Sequence, residues 1–226
     1  MKTLLLKLAK LKRLSSLLLL FVLVGSCKKA INLNHNWEGY VFEKHTGAPV
    51  IGATVKIKAS KVSSGVFNSS LQPIATVTTN SNGYYSFEYE RQTFTEVVAE
   101  VSKSNYFSYT EELDVDAITS NKNFSHNITI TPRAWITLEI NHQGNGVDQF
   151  ALNYRNLSIY RDCADCCKND NLNFNGNNVN YEFTCTSEAN LYHRYRTIVT
   201  LNGQQTEHID SVFVAIGDTT LIDIVY

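Results

Sequence analysis

Thr76 to Phe87 reads TVTTNSNGYYSF, a strand, a turn and the start of a second strand. Asn80-Ser81-Asn82-Gly83 is turn chemistry, and Gly83 takes a positive φ at little steric cost. Tyr85, Phe87 and Tyr89 fall on one face at a period of two. With Ile74–Thr79 as the preceding strand, the stretch predicts a hairpin. The same grammar extends in both directions. Upstream, Glu38–Phe42 is a strand, His45–Pro49 a turn, Thr54–Lys58 an alternating strand with Val55 and Ile57 on one face, and Ser60–Pro73 a Ser-rich loop. Downstream, strands are expected at Glu96–Ser102, Tyr106–Leu113 and Phe124–Thr131. No long segment holds a 3.6-residue period, so the fold class predicted is all-β.

These residues resemble a known family. Gly39-x-Val41, Thr46-Gly47-x-Pro49, Ile51-Gly52-Ala53-x-Val55 and Thr76-Val77-Thr78-x-Asn80-x-x-Gly83-x-Tyr85-x-Phe87 are similar to the carboxypeptidase regulatory-like domain. The resemblance covers residues 37–131. It implies a seven-stranded, prealbumin-like β-sandwich without catalytic residues of its own. The insert Ser60–Pro73 departs from the pattern. Fold alone does not fix function.

Pro132 marks a boundary, and Trp135–Ile140 opens a second set of strands. Asn141–Asp148 is a Gly/Asn loop, and strands are expected at Leu157–Arg161, Val179–Thr186, Tyr192–Leu201, His208–Ala215 and Thr220–Val225. Asn202-Gly203 and Gly217-Asp218 are turns. The first module's motif does not recur. The chain therefore divides into residues 37–132, a first β-sandwich, and residues 133–226, a second all-β module carrying a cysteine cluster.

The opening residues read as an export signal. Lys2, Lys7, Lys10, Lys12 and Arg13 precede the apolar run Leu17–Val24, which is too short to span a bilayer. Val24-Gly25-Ser26-Cys27 resembles a bacterial lipobox. The resemblance implies a lipoprotein signal peptide at 1–26, acyl chains on Cys27 as the one covalent attachment, and a lipid tether at 27–36. Lys28 and Lys29 favour the periplasmic face of an outer membrane over surface display. Cleavage would leave fifteen basic against twenty-one acidic residues, since the signal holds five basic and no acidic ones. An acidic chain with scattered cations excludes nucleic acid as a partner.

Of five cysteines, lipid on Cys27 leaves four: Cys163, Cys166, Cys167 and Cys185. An even number in an exported chain predicts disulfides. Cys185 joins Cys166 or Cys167, with Cys163 completing the second bond; a Cys166–Cys167 bridge would strain its own peptide. A zinc-like reading of Cys163, Cys166 and Cys167 with Cys185 or His193 lacks the second Cys-x-x-Cys pair. A redox reading lacks a helix after the motif. Asn171, Asn173, Asn175, Gly176 and Glu182 follow the spacing of a calcium loop, with one charged ligand among them. Against calcium, Leu172 and Phe174, then Val179, Tyr181 and Phe183, alternate around Asn175–Asn178 as a second hairpin.

The six histidines are dispersed, and no nucleophile elbow, His-Glu-x-x-His or phosphate-binding glycine loop occurs. Tyr192, Arg194 and Arg196 share one strand face, and His193 and Tyr195 the other. The sequence thus predicts a lipid-anchored envelope protein, non-catalytic, serving as a structural or protein-interaction module with an envelope protein partner. The alternative is a lipoprotein that binds carbohydrate or peptide.

Overall fold

A computed structural model describes residues 34–63, 66–143, 149–155, 163, 165–168, 171–175 and 178–226. The expected signal peptide, most of the expected tether, Cys27 and the expected strand Leu157–Arg161 lie outside the described residues. The last three tether residues belong to the fold instead. They open strand β1 (Asn34–Glu43), where Asn34, His35 and Asn36 pair with Glu90, Tyr89 and Glu88.

The first lobe is a β-sandwich. Its strands are β1, β2 (Thr54–Ser63), β3 (Val66–Thr78), β4 (Tyr84–Glu90), β5 (Phe94–Ser102), β6 (Tyr109–Glu112), β7 (Asn123–Ser125) and β8 (Ile128–Ile130). One sheet runs β3-β2-β5-β6; the other places β4 on one side of β1 and β7 and β8 on its other side. β7 and β8 both run parallel to β1 and form one strand broken at His126-Asn127. The break is repaired locally, since His126 N–H donates to the Glu38 carbonyl and the Asn127 side chain accepts from Tyr40 N–H. Counted so, the sandwich has seven strands.

The motif residues have identifiable tasks. The His126 carbonyl bulges toward β1, and a Cβ at residue 39 would lie 1.8 Å from that oxygen, so Gly39 is sterically required. The Tyr85 hydroxyl donates 2.7 Å to the same carbonyl. Burial raises the Tyr85 phenol to about 12. Asn80 accepts from Asn82 and Tyr84 N–H groups, closing the turn, and Gly83 at φ 71° lies against Pro49. Buried Thr79 donates to the Val50 carbonyl and accepts from Ala53 N–H, tying the Ile51-Gly52 turn to β3. Trp37 is fully buried among Phe87, Phe124 and Tyr89 at the centre of this core.

Three sequence expectations are corrected here. The Asn80–Gly83 turn is right, but its strands do not pair: β3 lies in one sheet and β4 in the other, so the turn is an arch across the sandwich. Ser60–Pro73 is not a loop, because β2 and β3 continue as a ribbon to the Ser63↔Val66 pair. Val62, Val66 and Phe67 within the insert suit extended backbone. Finally, the expected strand Tyr106–Leu113 shortens to Tyr109–Glu112, and a helix, α1 (Val115–Ser120), follows. Asp114 caps α1 by accepting from Asp116 and Ala117 N–H groups, and Ile118 anchors it in the core. Six residues are too few to show a helical period.

The second lobe contains β9 (Arg133–Gln143), β10 (Gln149–Arg155), β11 (Asn171–Asn175), β12 (Asn178–Glu188), β13 (Leu191–Leu201), β14 (Gln204–Val214) and β15 (Thr219–Val225). Its sheets run β12-β9-β15 and β11-β10-β13-β14. This is the first lobe's plan again. β9 corresponds to β1, flanked by an antiparallel β12 as β1 is by β4, and by a parallel β15 as β1 is by β7 and β8. The other sheet repeats β3-β2-β5-β6 strand for strand, with every neighbour antiparallel. β11 and β12 therefore also lie in different sheets and do not pair as the expected hairpin at Asn175–Asn178, of which residues 176 and 177 lie outside the described residues. β11 pairs with β10, and β12 with β9. A separate core fills this lobe, built on Ile136, Leu138, Ile140, Phe150, Leu152 and Ile222.

Candidate functional site

The two lobes meet over buried charge. Along β1, Trp37, Val41 and Glu43 share the buried phase, so an acid ends a core-facing row. Burying a carboxylate without partners costs several kcal/mol. Glu43 Oε1 accepts from Thr46 Oγ1 at 2.9 Å and from Asn190 Nδ2 at 2.7 Å, and Oε2 accepts from the Tyr106 hydroxyl at 2.9 Å. Asn190 belongs to the second lobe. Its positive φ of 58° turns the chain from β12 to β13, and its Oδ1 accepts from Ile216 N–H. Burial, and then the bond to the Glu43 carboxylate, raise the Tyr106 phenol far above the ordinary tyrosine value.

A reciprocal set faces the other way. Glu188, 1% exposed at the end of β12, accepts from Lys44 Nζ at 3.1 Å and pairs with His45 Nε2 at 2.7 Å, both from the first lobe. His193 is fully buried behind it and donates Nε2–H to the Glu188 carbonyl at 2.8 Å. Backbone bonds complete the junction. Arg133 N–H donates to the Asn105 carbonyl, and Ala189 N–H to the Pro132 carbonyl. β8 ends at Ile130 and β9 begins at Arg133, so Thr131 and Pro132 alone connect the lobes. Each lobe thus satisfies a carboxylate of the other, and no slack linker separates them.

None of Glu43, Lys44, His45, Thr46, Tyr106, Glu188 and Asn190 is a site residue in the sequence reading, where Thr46 enters only as part of a turn motif. The signal was there in part: Glu43 stands in the inward phase of a strand, where an ionisable side chain needs a partner. Its partners come from residues far along the chain, and no periodicity points to them.

The cysteines pair as Cys163–Cys166 and Cys167–Cys185, one of the two pairings left open by the sequence. All four sulfurs are therefore committed, and the zinc-like ligand set is not assembled; His193 sits at the lobe junction instead. Among the described residues, no group of three His, Cys, Asp or Glu side chains could hold a metal ion. Of the calcium-loop spacing, Gly176 lies outside the described residues, and the four oxygen donors stand on strands of two different sheets. Asn171, Asn173 and Asn175 lie on extended β11, and Glu182 lies on β12 opposite Glu139 in the other sheet. Asn171 and Asn173 line a depression with Arg196, whose charge opposes a cation.

Beside the Cys167–Cys185 bridge is a cleft of about 370 Å³. Leu138, Leu172, Tyr181 and Phe183 form its apolar wall, and Asp165 and Lys168 its polar rim. Phe183 is 44% exposed there. On β13, Tyr192, Arg194 and Arg196 share one face as expected, and it is the solvent face, while His193 is buried and the Tyr195 hydroxyl donates to Asp210.

No protein-family model matches the chain, and no curated protein matches it by sequence. Solved structures resemble it distantly. The Bacillus anthracis TIE protein aligns at 10% identity over 86% of this chain and 34% of its own, with a TM-score of 0.38. The shaft pilin SpaA from Lactobacillus rhamnosus GG aligns at 12% identity over 85% of this chain and 96% of its own, with a TM-score of 0.32. The 3-chlorocatechol 1,2-dioxygenase from Rhodococcus opacus 1CP aligns at 14% identity over 43% of this chain and 59% of its own, with a TM-score of 0.33. The chain spans about a third of the length of the first and under two thirds of the last.

Proposed function

We propose that the chain is a non-catalytic structural or protein-interaction module of the cell envelope, lipid-anchored through Cys27, with its first lobe a carboxypeptidase regulatory-like domain. The observation that carries this reading is the reciprocal lock between lobes. Glu43 takes Asn190 from the second lobe, and Glu188 takes Lys44 and His45 from the first. Such a lock makes two small sandwiches one stiff body, which suits a spacer or a docking platform held at a fixed distance from a membrane. The lipobox resemblance of Val24–Cys27 supports the anchor, and Lys28 and Lys29 support the periplasmic face of the outer membrane. A second reading, binding of a carbohydrate or peptide, is favoured by the cleft with Phe183 exposed and Tyr181 half-buried on its wall.

The experiment is affinity capture with the full chain from detergent-solubilised envelopes. A stoichiometric protein partner supports the first reading; saturable glycan binding with no such partner replaces it by the second. In parallel, Cys27→Ser is expected to abolish acyl labelling and release the chain from the membrane fraction. Continued labelling would overturn the anchor.

A further inference from the structure

The outer edge of the second lobe is long and uncovered. β14 forms one edge of its sheet, and among the described residues no strand pairs with its outer side. Residues 204–211 are all exposed, on both faces of the strand. The equivalent edge of the first lobe is β6, four residues long and followed directly by α1. Short edges and covering helices are the usual protection against edge-to-edge pairing. β14, eleven residues long and rich in Thr, Ile, Val and Phe, has neither among the described residues.

Its backbone polarity follows from the turn before it. Asn202 and Gly203, at φ 50° and 74°, make a two-residue hairpin with Leu201 opposite Gln204 as the closing pair. Every second residue from Gln204 therefore turns its N–H and C=O toward β13; Val214, which accepts from Asn190 N–H, agrees with this phase. Gln205, Glu207, Ile209, Ser211 and Phe213 turn theirs outward.

We propose that this edge pairs with the same edge of a second copy of the chain, antiparallel about a two-fold axis through Ile209. A two-fold axis normal to the sheet must place some residue opposite itself, because directly opposed residues share a face. Centring on Glu207 or Asp210 opposes like charges, which destabilises the pair. Centring on Ile209, itself 45% exposed, opposes two apolar side chains. It also sets His208 of each copy against Asp210 of the other, and Gln205 against Phe213. Within one chain His208 and Asp210 already lie 4.0 Å apart, so the two copies form an alternating quartet of basic and acidic groups. This register uses all five outward residues and forms about ten inter-strand hydrogen bonds, more than any shifted one. Ser211 N–H, held by the Asp210 carboxylate in the single chain, passes to Glu207 of the other copy. Tyr192 and Phe213, ring against ring at 5.3 Å, add apolar surface on the outer face. Two four-stranded sheets become one of eight.

Oxidative cross-linking of single cysteine variants of the full chain tests the register. Ile209→Cys faces itself and is expected to give an inter-chain disulfide at least about tenfold faster than Glu207→Cys, which faces Ser211, with the unsubstituted chain as the background. Charge exchange is the second measurement. His208→Asp puts two acids opposite each other at two symmetric places and is expected to weaken dimerisation about tenfold; adding Asp210→His is expected to restore it. These side chains are exposed, so the variants retain the fold. Equal cross-linking at residues 207 and 209, none at either, or no rescue by the double exchange would each overturn the proposal.

Discussion

The first lobe and the second lay seven strands in the same order and with the same directions, yet hold them by different means. In the first, β1 meets a last strand broken at His126-Asn127, and the break is accommodated by a glycine, a buried tyrosine hydroxyl and a cluster of aromatic rings around Trp37. In the second, β9 meets an unbroken β15 over seven paired residues, and no glycine is needed. There a disulfide ties the segment after β10 to β12. The comparison teaches that this topology does not depend on the motif residues. Gly39 and Tyr85 serve one lobe's particular defect and Asn80 and Gly83 its turn, so the fold can repeat where the motif does not.

The sharpest way to break the comparison is at equivalent strands. Gly39→Ala drives a methyl into the His126 carbonyl, which is backbone and has little room to retreat. It is expected to cost upwards of about 3 kcal/mol. Thr137→Ala on β9, where Thr137 shares only an exposed hydroxyl contact with Thr184, is expected to stay within about 0.5 kcal/mol. Calorimetry on both variants decides it. Comparable losses would mean that the broken strand is not what makes the first lobe demanding.

The next effect belongs to the second lobe alone. Cys167 and Cys185 are 18 residues apart, a closure that contributes about 3 kcal/mol; Cys163 and Cys166, three apart, contribute about 2 kcal/mol. Replacing Cys167 and Cys185 together by alanine is expected to lower protection of β12 in hydrogen exchange, with β1 and β4 less affected. Equal loss in both lobes would show that the lock at Glu43 and Glu188 transmits the whole effect.

What could be read from sequence follows the same division. Strand phases were legible, down to Tyr192 and His193 on opposite faces, because period-two alternation is local. Turns were legible at Asn80–Gly83 and Asn202-Gly203. Pairing partners were not. β3–β4 and β11–β12 both look like hairpins in sequence, since a turn between alternating runs does not say whether the second run returns beside the first or crosses to the facing sheet. α1 escaped because six residues cannot show a period, and the second lobe's repeat escaped because topology is carried by strand order, not by the residues of one motif. The even cysteine count was readable, but the choice between Cys166 and Cys167 needed coordinates. The junction was least legible of all, since Glu43 and Asn190 stand 147 residues apart.

That junction carries the smallest predicted effect and the most specific one. Burial holds His193 below the ordinary histidine value of 6.5; its bond to the Glu188 carbonyl and the Glu188 charge oppose the shift, and His45 adds to it. The groups facing it are Ser187 and Glu188 on its own lobe, with Lys44 and His45 reaching in from the other. A histidine whose folded value is depressed takes up its proton more readily when unfolded. Its contribution to stability is therefore complete above 6.5 and is lost as pH falls through that value toward the folded one. Melting temperature should decline from pH 7.5 to pH 5.5, about one unit either side of the histidine range. His193→Gln should flatten that decline whatever it does to the plateau. A slope that survives in His193→Gln would move the pH sensitivity away from the lobe junction. If the slope disappears, the joint between lobes is where acid first loosens the molecule, ahead of either core.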